Sequence, residues 1–389
     1  MRLVRVNSVR DEMELARDVP SPALGSQPLL RRGVKLSEGL ATRLASLNVR
    51  AIWVEDDLGD GIRPAEVLPE HVRRSTEVAV AKCLEKARSV AADLASLPAA
   101  VLGPLEKAAT AIMEALADSP EAALAFDDLA SADSYTYSHS VRVATLGVLL
   151  GQRIDRVDGW VDWRGDRHFD RKTDRLTQLA MGLLIHDIGK ISIPEAVLNK
   201  PGKLTPEEWE LVKTHPGAGA SMLAPDKVPV ATIAIVRDHH ERWDGLGYAR
   251  GRKGDEIHQF ARIAAVADVY DAITADRPYK PGRPPHVGVS TINEGAGTQF
   301  DSTIVEHFKH VAMPYPVGYT ITLPDGRPGV VVGVSPEEPA YPVVRFRDSG
   351  SGALEEAAMH VSDGHVVAGY ETPIAADARQ HVGDVRQAA

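Results

Sequence analysis

Residues 176–187 read LTQLAMGLLIHD. Leu176, Leu179, Ala180, Leu183, Leu184 and Asp187 recur at the spacing of one helix face, so they form the buried stripe of an amphipathic helix, and that stripe ends on a carboxylate. His186 stands about 100° round the helix from it. A charge on a buried stripe is costly unless compensated, and three further segments pose the same problem. In FARIAAVADVYD, residues 260–271, the same spacing links Phe260, Ile263, Ala264, Ala267, Asp268 and Asp271. Tyr135, His139, Val143, Leu146 and Leu150 share a face upstream, and in VPVATIAIVRDHH, residues 228–240, so do Val228, Thr232, Ile235, Val236, His239 and His240. A fifth helix is expected to start at the capping box Thr205-Pro206-Glu207-Glu208 and to end at His215, with Pro216 as its stop.

Taken singly, an inward histidine is a hydrogen-bonded core residue and an inward aspartate a cap or ion-pair partner. Taken together, five histidines and several aspartates would each need separate neutralisation, whereas a pair of divalent cations satisfies imidazoles and carboxylates at once. The set exceeds the ligands of a mononuclear site and suits two metals sharing one carboxylate. Mixed nitrogen and oxygen donors fit two divalent transition-metal ions drawn from iron, manganese, zinc, cobalt or nickel.

Around this centre the chain reads as mainly α, and its 389 residues imply two to four folded units at about 100–200 residues each. Residues 1–60, with LVRV and IWVED as alternating stretches and a helical pattern from Ser37 to Leu47, form a small α/β unit. Residues 61–130 read as a helical connector broken at Pro98 and Pro104, and residues 131–313 as the helical domain that carries these histidines and aspartates. Residues 314–372 alternate as VGYTITL, PGVVVGV and YPVVRF between turns and read as a small β-barrel-like domain, before a frayed tail at 373–389. RFRDSGSG, residues 345–352, reads as a surface hairpin, and the excursion Ile154–Arg175 as a solvated loop.

The net charge of −10 and the lack of a long basic block disfavour binding to nucleic-acid polymers, so a polyanionic ligand would need a local positive site. One cysteine, an N-terminus without a secretory signal and no apolar run near the ~20 residues of a membrane span point to a cytoplasmic location.

Several motifs then fall in order: DSYTYSHS (133–140), HDIGK (186–190), LNKPGKLT (198–205), KTHP (213–216), HHERWDGLGY (239–248), ADVYDAIT (267–274), DRPY (276–279) and GAGTQFD (295–301). On these residues the stretch from about Ser131 to Val311 resembles an HD-GYP domain, a branch of the HD metal-dependent phosphohydrolases. The resemblance implies an all-helical domain that hydrolyses a cyclic dinucleotide, most often cyclic di-GMP, to the linear dinucleotide or to mononucleotides. It places His139, His186, Asp187 and Asp268 around one metal, and Asp187, His215, His239 and His240 around the second. Some members hold a third metal through a carboxylate that is Tyr135 here, so two are expected. Lys190 is expected to stabilise or protonate the leaving 3′-oxygen, Asp271 to orient a ligand histidine or the attacking water, and Arg277 and Lys280 to bind substrate phosphates.

The family's Gly-Tyr-Pro is Gly247-Tyr248-Ala249 here, a departure that bears on partner recognition through that loop before it bears on catalysis. A signalling partner could instead use the end domains, and the helices of Pro69–Ala130 could pair two chains as a homodimer. Two alternatives keep the fold: an HD phosphohydrolase for another cyclic dinucleotide or nucleotide, and a catalytically silent sensor or adaptor.

Overall fold

The computed structural model describes residues 1–117, 135–275, 282–361 and 366–367, apart from 12, 20, 22–26, 48, 65, 91–96, 162–164, 171, 201 and 336. Alternation in the first residues produces β1 (Arg2–Arg5), joined by β2 (Glu14–Leu15), α1 (Glu38–Ser46) and β3 (Ala51–Glu55). β3 lies between the other two strands, antiparallel to both, with Leu3 opposite Trp53. Ser37 caps α1 by accepting from the Leu40 N–H, and Ala41 and Leu44 of that helix pack with Val4, Ile52 and Val54.

The helical body follows: α2 (Glu70–Val90), α3 (Ala99–Leu116), α4 (Tyr135–Val157), the two-stranded hairpin β4 (Trp160–Val161) and β5 (Arg167–His168), and α5 (Lys172–Ile185). Then come α6 (Glu195–Leu198), α7 (Pro206–Val212), α8 (His215–Ser221), α9 (Val230–Asp238), α10 (Gln259–Thr274), α11 (Pro285–Glu294) and α12 (Ser302–Lys309). α5 is central and packs on α3, α4 and α9, while α10 packs on α4 and α9. The apolar faces of α2 and α3 share this core, with Val80, Leu105 and Ile112 in the same cluster as Leu146, Leu183 and Ile263.

Three local expectations are corrected here. Pro104 does not break the helix that starts after Pro98; α3 runs through it, because the missing N–H costs one bond near the helix start. His215 and Pro216 open α8 instead of closing α7, since proline within the first helical turn loses only an N–H that has no intrahelical partner. The excursion after α4 is exposed at Arg167 and Phe169, as a solvated loop would be, but is anchored at one point, because Trp160 is only 1% exposed and meets Phe260 edge-on.

After α12 the chain forms β6 (Thr320–Thr322), β7 (Pro328–Gly333), β8 (Val343–Arg347), β9 (Leu354–Ala358) and β10 (Val366–Val367), an antiparallel sheet in the order β10-β6-β7-β8-β9. This sheet does not stand apart from the opening one. Leu3 and Trp53 share a core with Tyr319, Ile321, Val331 and Val344, and the Leu3 N–H donates to the Gly318 carbonyl at 2.8 Å. The architecture is therefore mainly helical, with small sheets at both chain ends joined into one body. No helix among the described residues is long and apolar enough to cross a membrane. The 373–389 tail lies outside the described residues.

Candidate metal centre

Each inward polar side chain sits where a helix starts, ends or crosses another. His139 projects from the second turn of α4. α5 stops at Ile185, so His186 and Asp187 occupy its unwound end, and Asp187 opens the tight turn Ile188–Ser192. His215 is the first residue of α8, His239 caps α9 with His240 next to it, and Asp268 and Asp271 lie one turn apart on α10. All of these residues are buried.

The hydrogen bonds fix the histidine tautomers. His186 donates its Nδ1–H to the Leu183 carbonyl at 2.7 Å, His215 to Val212 at 2.8 Å, and His239 to Ile235 at 3.1 Å. A carbonyl can only accept, so Nδ1 carries the proton and Nε2 presents a lone pair. His139 directs Nδ1 to Asp271 at 2.6 Å, leaving its Nε2 inward as well. The inward nitrogens then face each other: Nε2 of His139 and of His186 are 3.2 Å apart, and Nε2 of His215 and of His239 are 3.4 Å apart. For His215 and His239, whose Nδ1–H groups are both donated to carbonyls, the facing lone pairs repel unless a cation lies between them.

Asp187 divides its carboxylate between the two pairs. Its Oδ2 is 3.4 Å from His186 and 3.7 Å from His139, while its Oδ1 is 3.3 Å from His215 and 3.8 Å from His239. Asp268 Oδ1 lies 3.3 Å from His139 and 3.9 Å from His186, and its Oδ2 is 4.0 Å from His240 Nδ1. Asp187 with His215, His239 and His240, and Asp187 with His139 and His186, each form a group able to hold a metal ion, their ligand atoms within 4.8 Å of one another. Asp187 Oδ1 and His240 Nε2 are buried without a hydrogen-bond partner, as expected of donor atoms shaped for an ion. The residues present therefore fit a metal.

The electrostatics agree. Burial works against ionising the carboxylates, but Lys190 and His186 beside Asp187, and His139 beside Asp268, hold both well below the usual carboxylate range. Burial, together with the neighbouring His186 and His215, pushes His239 down to about 3; burial and His239 likewise keep His240 neutral. His139 differs: burial lowers it, yet its bonds to Asp268 and Asp271 prevail and raise it to about 9. Ionised oxygens and neutral imidazoles are the forms that bind metals, so His139 alone of these groups has to release a proton when an ion is taken up.

Lys190 Nζ rests on Asp187 Oδ2 at 2.7 Å and is partly exposed. Asp271 touches His139, and Arg142 donates to both Asp271 oxygens. Arg142 was not marked by its sequence surroundings; it is buried on α4 with the Asp271 carboxylate at the inner end of its side chain. Ser138, next to His139, donates to the buried Glu77 of α2 at 2.7 Å, a second support without a sequence signal. Arg277 and Lys280 lie outside the described residues.

In the loop after α9, Glu241 accepts from the Arg250 N–H at 2.6 Å and the Arg252 N–H at 3.1 Å, so it holds the loop closed. The Tyr248 ring stacks on His240, with centroids 4.6 Å apart and planes 27° apart, which ties the Gly247-Tyr248-Ala249 turn directly to the centre. Trp209, Lys213, Arg242 and Tyr248 line a cleft of about 670 Å³ that reaches His239 and His240.

Comparison with known proteins bears on this geometry. The HD domain family matches residues 147–304. A cyclic di-GMP phosphodiesterase of Pseudomonas aeruginosa is 33% identical over 328 residues, covering 78% of this chain and 75% of the relative. A cyclic di-GMP phosphodiesterase of Thermotoga maritima is 39% identical over 39% of this chain and 41% of its own length. A 3′3′-cGAMP-specific phosphodiesterase of Vibrio cholerae is 34% identical over 50% of this chain and 40% of its own length. With identity sustained across three quarters of a whole relative, and the histidines and aspartates of the motifs converging in space, this chain belongs to the HD-GYP family of HD-domain phosphohydrolases.

Proposed function

We propose that the chain is a metal-dependent phosphodiesterase that hydrolyses cyclic di-GMP to the linear dinucleotide, to GMP, or to both. The observation that carries this is Asp187, whose two oxygens face two separate sets of imidazoles. His139, His186, Asp187 and Asp268 would hold one divalent ion, and Asp187, His215, His239 and His240 the other. Such a pair supplies Lewis acidity toward a phosphoryl oxygen and makes hydroxide available near neutral pH.

The chain's own groups do the rest. Hydrolysis joins a water oxygen to phosphorus and breaks a P–O3′ bond, and the departing 3′-oxygen must gain a proton. Lys190, cationic and partly exposed at the edge of the centre, is the group assigned to stabilise or protonate it. Asp271 and Arg142 are positioning residues: they hold the His139 ring so that Nε2 faces inward. Arg277 and Lys280 are assigned to substrate phosphates by their motif, DRPYK.

A second substrate is favoured by one finding, the 34% identity to a 3′3′-cGAMP-specific enzyme. Elemental analysis of the purified protein, followed by chromatography of products from cyclic di-GMP and 3′3′-cGAMP, tests both readings. Two transition-metal ions per chain and faster turnover of cyclic di-GMP are expected. A fully metallated protein that binds either nucleotide and leaves it intact over hours is a sensor, not an enzyme.

A further inference from the structure

A chain of net charge −10 binds an anion only where positive charge is gathered locally, and the structure gathers it at the junction of the two end sheets. There a cleft of about 760 Å³ opens, lined by Arg2, Arg5 and Arg10 from the start of the chain and by Arg327 and Arg347 from β6–β9 and its turns. Asp56, Asp57 and Asp348 also line it, and Asp325 pairs with Arg327 at 2.6 Å, leaving an excess of one positive charge.

The aspartates are occupied as supports of the wall. Asp56 accepts from Arg2 Nε at 2.9 Å and from the Gly59 N–H at 3.0 Å. Asp348 turns back into its own hairpin, accepting from the Gly350 and Ser351 N–H groups at 3.0 and 2.7 Å. Asp57 meets Arg347 at 3.0 Å, on the exposed edge.

Val4, Met13, Leu58 and Pro328 contribute apolar surface to the same cleft, and Ser8, Thr320 and Thr322 contribute hydroxyls. Guanidinium groups, a small apolar patch and nearby hydroxyls can meet phosphate, base and sugar in turn. The volume is that of an ordinary small-ligand site, and such sites favour domain junctions. RFRDSGSG is a hairpin, as its sequence indicates, but its Arg347 joins arginines from the opposite end of the chain. The cleft shares no residue with the metal centre.

We propose that this cleft is a second nucleotide site, taking a dinucleotide with two phosphoryl charges. The phosphate chemistry follows from the arginines alone; the choice of a dinucleotide rests on the proposed activity, which presents both the cyclic form and its linear product.

The test is calorimetric titration of chelator-stripped wild-type protein with cyclic di-GMP, its linear dinucleotide, GMP and sodium sulfate. Asp187→Ala, the double variant Arg10→Glu with Arg347→Glu, and the milder Arg10→Gln are titrated alongside, each with a thermal melt. One dinucleotide per chain is expected in the wild type and in Asp187→Ala. The affinity should fall at least tenfold in the double variant and severalfold in Arg10→Gln, which keeps the test open should the double variant fail to fold. The cyclic-to-linear affinity ratio tells substrate sensing from product sensing, and binding of either supports the site.

No dinucleotide bound by stripped protein, unchanged affinity in folded charge variants, or displacement by equimolar sulfate would each overturn it. Lost hydrolysis with intact cleft binding faults the catalytic reading alone, and intact hydrolysis without cleft binding faults the cleft alone.

Discussion

Asp187 directs one oxygen to His186 and His139 and the other to His215 and His239, each within 3.8 Å, so it faces both sets of imidazoles. Asp187→Ala should leave at most one ion per chain by elemental analysis and abolish turnover; two retained ions would contradict the shared carboxylate. Lys190→Ala should keep both ions and lower kcat by about 10²–10⁴-fold with little change in KM, because a proton donor acts in the chemical step. If metal left with it, Lys190 would be a structural partner of Asp187 instead. Asp271→Asn should weaken metal retention against a chelator by about 10–100-fold, since the amide no longer holds the His139 ring by charge. An unshifted chelator curve would show that the ring needs no such support. Asp187, Asp268 and the five histidines were legible because each breaks an otherwise apolar helical period. Arg142 and Glu77 were not, because their partners Asp271 and Ser138 are 129 and 61 positions away, and periodicity carries no information about contacts at that range.

At the scale of elements, the centre depends on two turns that allow little freedom. A Cβ on Gly189 would stand 1.9 Å from the His215 carbonyl and 2.6 Å from the Gly219 nitrogen, both main-chain atoms of α8. Gly189→Ala should therefore push α8 and His215 away, costing about 1–3 kcal/mol in a denaturant melt and releasing metal more readily. Equal stability and metal content would mean that α8 can shift without carrying its histidine. The other turn contains Ala249, whose φ of 106° is the one positive value at a non-glycine among the described residues. Ala249→Gly should raise stability by up to about 1 kcal/mol, while Ala249→Pro, which restores the family tripeptide, should lower it because proline holds φ near −65°. A stabilising proline would show that the turn takes a different path in solution. The α7–α8 boundary was misread for a related reason. Proline closes one helix and opens the next with equal ease, so only tertiary packing decides which side of Pro216 is helical.

Across the whole molecule the buried residues fall into a helical core and an end body, the latter assembled from the first and last described segments. Composition and alternation made both end sheets legible as separate small units. Their union was not, because Leu3 meets Gly318 and Trp53 meets Tyr319 across 315 and 266 positions of the chain, and strands with two possible faces do not announce their partners. The junction is energetically substantial: Tyr319 is fully buried, with its ring 6.5 Å from that of Trp53 in an edge-on contact. Tyr319→Ala should cost the end body about 3–5 kcal/mol, the usual range for emptying a large aromatic site. Because none of these residues packs in the helical core, the loss should appear in calorimetry as an earlier transition of the end body, with the helical transition and the metal content unmoved. If both transitions fall together, the two bodies unfold as one cooperative unit, and a ligand held between the end sheets would then stabilise the catalytic helices as well.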